Sequence, residues 1–338
     1  MTELKDIGEL DLIKGLAKRF SCKGPDVLKG IGDDCAVLKS GSETLLLTTD
    51  ILVEGIHFIS NNLNPVSLAR KLLAVNLSDI ASMGGRAKAG LLTVALPPHT
   101  KIEFWESFSN ALFEEFRRRD IDLLGGDTSS SPGPIVLNLI LLGRAAPERI
   151  LYRSGAVDGD LVFVSRPLGD AAAGLVLQKQ PDLEIDDAVR EYLGMALETP
   201  RAEEELGPLL AESRLVTSMI DVSDGLSTDL GHLAEASNLG AEIFGENLPF
   251  SKEARLLAER LAISPAQWAL FGGEDYALLF TVQPSNVEKL LGLIRKRLHR
   301  EIWPIARMKA EPGLTYLAEG KSRSLSSRGY EHFRFEGS

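Results

Sequence analysis

Soft ligands are scarce in this sequence. Its 338 residues include two cysteines, Cys22 and Cys35, and five histidines. Two cysteines are too few for a disulfide scaffold, so both read as reduced thiols in a cytoplasmic protein. Cys35 follows two acids but reads as a small buried residue rather than a ligand. Basic excess is lacking as well: 37 Lys and Arg face 48 Asp and Glu, a net charge of −11. That excludes a nucleic-acid or anionic-membrane surface, which needs a positive field. It still admits a polyanionic ligand, because bound divalent cations invert local charge. No apolar run approaches the roughly 20 residues of a membrane helix. The opening "MTELKDIGELDLIKGLAKRF" is charged throughout and has no signal-peptide core. The common nucleotide motifs are missing too: no GxxxxGK[ST], no kinase Gly-rich loop with its catalytic loop, and no GxGxxG opening a helix after a strand. A chain of this kind that uses ATP holds the phosphates largely through metal bridges.

What is present is an ordinary globular composition, 44% apolar and 25% charged. The length suggests two domains, with a boundary near 146–150 that divides the chain into 1–148 and 149–338. The spacing of Leu12, Leu16 and Phe20 predicts a helix over 9–20. Pro65 and Ser67 open a helix that stops at Gly84 and Gly85. "TLLLTTD", "AGLLTVALP" and "PIVLNLILLGRA" read as strands, and "IDLLGGDT" as a strand meeting a glycine turn. "KIEFWESFSNALFEEFRRRD" is an amphipathic helix with Trp105 and Phe108 on its core face. The second half alternates strand, glycine turn and helix. "QWALFGGEDYALLFTV" reads as a turn leading into a strand, and 319–328 as a polar loop. Strands and helices mix in both halves, so the fold class is α/β plus α+β.

One pattern recurs. "GIGDD", "LTTD", "NLSD", "LLGGDT" and "IDVSDG" each run an apolar element into a polar cluster with an acid, and "FGGED" precedes a strand. Any one of these passes as a turn. Six of them gather hard carboxylate ligands without a matching set of His or Cys, which points to Mg²⁺ rather than Zn²⁺. Mg²⁺ completes its shell with water and substrate phosphates, so the inference is a nucleotide-phosphate site built from several loops.

In order and spacing, "GIGDDCAVL", "TTDILVEGIHF", "LAVNLSDIASMGG", "LLGGDT", "RSGAVDGDLVFVSRPLGDAAAGL", "IDVSDGLSTDLGHL", "GGEDYALLF" and "GYEHF" resemble the thiamine-monophosphate kinase family of the aminoimidazole-ribonucleotide-synthetase-like superfamily. The blocks span nearly the whole chain. The resemblance implies an N-terminal α/β domain that shares a barrel-like sheet with its twin in a homodimer, and a C-terminal α+β domain. It implies direct transfer of the ATP γ-phosphoryl group to thiamine monophosphate, the final step of thiamine diphosphate synthesis.

By motif position, the resemblance makes Asp34, Thr48, Thr49, Asp50, Asp79, Asp127, Asp221 and Asp224 the Mg²⁺ ligands, with Asp50, Asp79, Asp127 and Asp221 catalytic. Gly126, Asp127, Arg153 and Ser223 would contact ATP. His57, Glu274 and Tyr330 would hold thiamine monophosphate. Asp33 matches as well but ranks below Asp34 as a direct ligand, and Arg144 is a second candidate for phosphate. Read alone, His57 is a partly buried histidine and Tyr330 a tail anchor. The basic run 295–300 suits a helix C-terminus. The chain departs from the family after "GGDT": Ser129, Ser130 and Ser131 stand where Thr-Arg is common, so an arginine contact to phosphate is missing. Two other readings stay open, a superfamily enzyme with another acceptor (selenide, a formamidine ribotide or a carbamoyl group) and a non-catalytic Mg²⁺/nucleotide sensor.

Overall fold

The computed structural model describes residues 4–20, 22, 24–59 and 64–325. Its strands form two sheets. The first contains β1 (Val27–Lys29), β2 (Ala36–Ser40), β3 (Glu43–Val53), β4 (Arg86–Leu96), β5 (Asp122–Ser130) and β6 (Val136–Ala145), in the order β1-β2-β3-β6-β4-β5. Its pairs are antiparallel except β4 with β5, which are parallel and joined through the helix Ile102–Arg119. A parallel pair needs such a crossover. Along β3 burial alternates, with Thr44, Leu46 and Thr48 buried and their neighbours less so, the period of a sheet with one covered face. Leu46, Leu139 and Leu141 pack under the helices with Leu72, Ile80, Phe108 and Phe116.

The second sheet contains β7 (Leu161–Val164), β8 (Val216–Val222), β9 (Gly240–Phe244), β10 (Ala277–Val282), β11 (Trp303–Lys309), β12 (Gly313–Ala318) and β13 (Lys321–Leu325), in the order β13-β12-β9-β11-β7-β10-β8. Only β9 and β12 pair in parallel. β8 ends the sheet, yet it is almost wholly buried. The helices Pro65–Ser82 and Leu206–Ser213 pack against it, which removes the hazard of an open edge.

The helix Pro65–Ser82 therefore lies between the sheets, against β3 and β6 on one side and β8 on the other. Asn64 caps its start, the side-chain oxygen accepting from the Val66 and Ser67 amides, and Pro65 occupies the first turn. The fold is mixed α/β, as expected, and no described helix is long and apolar enough to cross a membrane.

Three local expectations fail. "IDLLGGDT" is not a strand ending in a turn, because β5 continues through both glycines. A Cβ on Gly126 would lie 1.7 Å from the Leu92 carbonyl oxygen, so the glycine serves close strand approach rather than a turn. Residues 266–271 are a helix, Ala266–Phe271, before the loop that leads to β10. Within the expected polar loop at 319–328, Lys321–Leu325 pairs with β12 as β13.

Candidate active site

The central helix Pro65–Ser82 is buried on nearly every side, yet it carries Lys71, Asn76, Ser78, Asp79 and Ser82. Lys71, Ser78 and Ser82 are seven and four residues apart, so they share one helical face; Asp79 flanks it, and Asn76 lies about 140° round the helix from Lys71. Each meets a different segment. Ser82 Oγ donates to Asp34. Thr48 Oγ1 donates to Asp79. Ser78 Oγ donates to Asp221 Oδ2 at 2.5 Å. Asn76 Oδ1 accepts from the Asp50 amide at 3.1 Å. Lys71 Nζ donates to Glu274 Oε2 at 2.9 Å and to the His57 carbonyl oxygen at 3.2 Å. The helix thus gathers the "GDD", "TTD", "DVSD" and "GGED" segments along one rail.

The gathered acids carry an electrostatic load. Burial pushes the Asp50 carboxyl up to about 6 against a hydrogen bond with Asp79, and Asp34 adds to the rise. Burial, then the charges of Asp50, Asp221 and Asp34, hold Asp79 well above the carboxylate range. Asp221 is pushed up to about 8 by burial and then by Asp34. Asp224 rises to about 6 through burial and then Glu9. Asp229, which accepts from the Asp224 amide at 3.1 Å, is also raised, by burial and then by Asp224 and Asp221. Arg153 answers part of this charge, its Nε and Nη2 lying 2.8 and 2.5 Å from Asp34 Oδ1. Burial opposes the Arg153 cation, but Asp34 outweighs it and raises the pKa. Asp33 accepts from the Arg153 amide at 3.2 Å and pairs with Lys29 at 3.1 Å, so it braces the loop.

The "GGED" loop is fixed by its own backbone. The Glu274 and Tyr276 amides donate to the carbonyls of Ser223 and Val222 at 2.7 and 2.8 Å. Asp275 accepts from the Gly169 amide at 2.8 Å, beside the start of the helix Asp170–Lys179. A Cβ on Gly273 would fall 2.3 Å from the Ser223 carbonyl oxygen, so the loop lies directly on the "DVSD" turn.

Other expected site residues lie elsewhere. Thr49 is exposed and accepts from Asn138 Nδ2 at 2.8 Å. Asp127 and Gly126 are on β5, which is exposed throughout and is an edge of the first sheet. Asp127 pairs with Thr93 of β4, three strand spacings from β3, or about 14 Å. Within one chain, Asp127 does not join the other acids. Arg144 binds Glu43 at 2.9 Å, at the far end of β6 from the residues beside Asp50, and has no place at the site. Tyr330 lies outside the described residues. Cavities of about 480 and 410 Å³ flank the helix at Leu77, Arg118, Arg119 and Glu204 and include none of the gathered acids.

No group of three His, Cys, Asp or Glu side chains forms a ready metal cage among the described residues. Several buried carboxylates with raised pKa values do meet the chemistry of a Mg²⁺ site that is completed by phosphate and water.

Two family models match the chain: AIR synthase related protein, N-terminal domain, over 32–145, and its C-terminal domain over 157–318. The thiamine-monophosphate kinase of Escherichia coli (strain K12) is 40% identical, covering 96% of this chain and 98% of the relative. The chain belongs to the thiamine-monophosphate kinase family of AIR synthase related proteins. The solved structure of AaThiL complexed with AMPPCP and TMP is 32% identical with a TM-score of 0.85, covering 98% of this chain and 99% of the other. The thiamine-monophosphate kinase of Stenotrophomonas maltophilia K279a is 34% identical with a TM-score of 0.76, covering 93% and 96%. Membership in this family gives the polar rail a context that sequence reasoning had missed. Lys71, Asn76, Ser78, Ser82 and Asp229 are not singled out by sequence motifs, although Lys71 and two serines on one face of a mostly apolar helix are a visible signal.

Proposed function

We propose that this chain transfers the γ-phosphoryl group of ATP directly to thiamine monophosphate, giving thiamine diphosphate. The observation that carries the reading is the central helix. It holds a buried carboxylate cluster near Ser78 and Ser82 and, through Lys71, the His57 turn and Glu274 further toward its start, which separates a metal-phosphate end from an acceptor end. Family membership and the AaThiL complex with AMPPCP and TMP support the same substrates.

Phosphoryl transfer asks a protein mainly to position reactants and neutralise charge. Asp34, Thr48, Asp50, Asp79, Asp221 and Asp224 would hold Mg²⁺, some through waters. A Mg²⁺ ion held by these residues would supply charge neutralisation for the transferring phosphate. Arg153, held against Asp34, offers a guanidinium at the ATP end, and Ser223 on the "DVSD" turn would add a further ATP contact. Glu274 supplies a carboxylate for the cationic thiazolium ring, with His57 beside it. The acceptor is a phosphate whose second pKa is near 6, so it is already ionised at neutral pH and needs no strong general base. The residues act by orientation and charge.

A homodimer completes this reading. β5 leaves Leu123 and Leu124 exposed, and Ile51 and Leu91 are exposed on β3 and β4 of the same sheet. A second copy covering this face would bury them and bring Asp127 and Gly126 to a neighbouring cluster. Mixing Asp127→Asn with Asp79→Asn subunits then restores part of the activity each lacks, whereas a site confined to one chain gives no recovery. With ATP as co-substrate, the setting is cytoplasmic. On this reading the half 1–148 supplies metal ligands and the dimer face, and 149–338 adds Arg153, Asp221, Ser223, Asp224 and Glu274 to the same site.

The direct test is a single turnover with Mg²⁺, labelled ATP and thiamine monophosphate. Labelled thiamine diphosphate is the expected product. ATP binding without product would overturn the kinase reading and favour a sensor.

A further inference from the structure

We propose that Lys71 is the positioning residue of the acceptor site, holding Glu274 and the His57 turn as one unit. The inference rests on the phosphotransfer reading above and deepens it.

Lys71 occupies a place where packing alone asks for an apolar residue. Its side chain is 4% exposed, and Leu68, Leu72 and Leu73 around it on the helix are buried. Burying an ammonium is costly unless it is paired. Here the pairing is specific. Nζ lies 2.8 Å from Glu274 Oε1 and 2.9 Å from Oε2, so it sits astride the carboxylate, and its remaining contact is the His57 carbonyl at 3.2 Å. Three segments remote in sequence meet at one ammonium: the helix, the turn after β3 and the loop before β10.

Both partners need that fixing. Glu274 has a φ of 66°, a left-handed conformation uncommon outside glycine, and its backbone is already bound to Ser223. The backbone sets where the side chain starts, and Lys71 sets where the carboxylate points. His57 follows β3 in a turn, and its Nδ1 accepts from the Val53 amide at 3.0 Å. The neutral ring therefore carries its proton on Nε2 and offers a donor there. By holding the His57 carbonyl, Lys71 holds the ring's base.

Lys71 acts through these groups rather than on the ligand. Glu274 is 26% exposed at its side chain, so the carboxylate faces the site while the ammonium stands behind it. Lys71 is also seven residues, about 10 Å of helix, from the Ser78 level at which Asp221 is held. It belongs to the acceptor end and not to the carboxylate end.

The test compares wild type, Lys71→Met, Lys71→Arg, Lys71→Gln, Glu274→Gln and the double variant Lys71→Met/Glu274→Gln. KM and kcat are measured for both substrates, with thiamine monophosphate binding by calorimetry and folding by thermal melts. Lys71→Met and Lys71→Gln should raise the KM and Kd for thiamine monophosphate about tenfold with the KM for ATP within twofold, and Lys71→Arg should recover most of that loss. The double variant should bind thiamine monophosphate no worse than Glu274→Gln alone, because Lys71 acts through Glu274. Equal rises in both KM values, unchanged thiamine monophosphate binding, or independent effects in the double variant would each overturn the inference. Should Lys71→Met not fold, the Arg and Gln variants differ in charge and carry the same comparison. A wild type that binds thiamine monophosphate without turning it over refutes the kinase reading, while calorimetry on the variants still decides the role of Lys71.

Discussion

Asp79 stands where burial and the charges of Asp50, Asp221 and Asp34 all oppose its ionised form. On the phosphotransfer reading proposed above it has a metal-binding role, and its cost falls on the fold. Asp79→Asn should cut kcat by about 10³-fold, the scale of losing a central charge in the site. It should leave the melting temperature of the metal-free protein unchanged or higher, because a repelled buried carboxylate is gone. Steady-state kinetics at saturating Mg²⁺ with a melt of the same sample checks both halves, and near-normal turnover would refute the central role. Glu203 is a buried acid of the opposite kind. Burial raises its pKa, but hydrogen bonds and charge from Arg300 and Arg166 prevail and leave it lowered. Arg300 Nη2 and Arg166 Nε lie 2.8 and 3.0 Å from Glu203 Oε1. Both arginines are partly exposed, which reduces the strength of the pair. Glu203→Gln should cost about 2 kcal/mol in urea unfolding without moving either KM. A loss of activity at full stability would contradict this purely structural role.

Elements decide how far such residues could be read in advance. The helix Pro65–Ser82 was legible at both ends, from Pro65 and from Gly84, and the ordered acid motifs were legible as a set. What the motifs meant locally was less so. Asp50 and Asp127 lie inside strands and Asp79 inside a helix, not in loops at element ends. A glycine pair normally signals a turn, yet at Gly125 and Gly126 it permits close pairing with β4. The partners of Lys71 and Ser78 lie 203 and 143 residues away in sequence, so no local pattern could name them. The separation of Asp127 from the other acids depends on strand order, which spacing does not encode. β5 offers the check at this scale. Gly126→Val places a branched side chain on the Leu92 carbonyl and should detach the edge strand, lowering stability by about 2–4 kcal/mol and abolishing turnover. A variant with normal melting temperature and activity would show that β5 does not need the close approach.

For the whole molecule, the net charge of −11 includes several acids whose burial opposes their ionised form. Asp221, Asp50 and Asp224 have an ordinary value of 3.8 and are raised to about 8, 6 and 6. A carboxyl raised in the folded state binds its proton more tightly there than in the unfolded chain. Its favourable contribution is complete below about pH 4 and is lost as pH rises through the folded value. Two of these groups therefore lose their contribution around pH 6 and the third near pH 8. Metal-free protein should melt progressively lower between pH 5.5 and 8.5. A bound cation reverses the sign, because it requires the ionised carboxylates and releases their protons. Mg²⁺ affinity should rise with pH by up to about tenfold per unit for each proton released. The stabilisation given by a fixed Mg²⁺ concentration should then be small at pH 5.5, large at pH 8.5 and abolished by chelator. Melts with and without Mg²⁺ across that range read both trends at once. A Mg²⁺ shift independent of pH would place the cation on groups other than this buried cluster. A metal-free melting temperature that climbs with pH would mean that the acids do not repel one another as their burial requires.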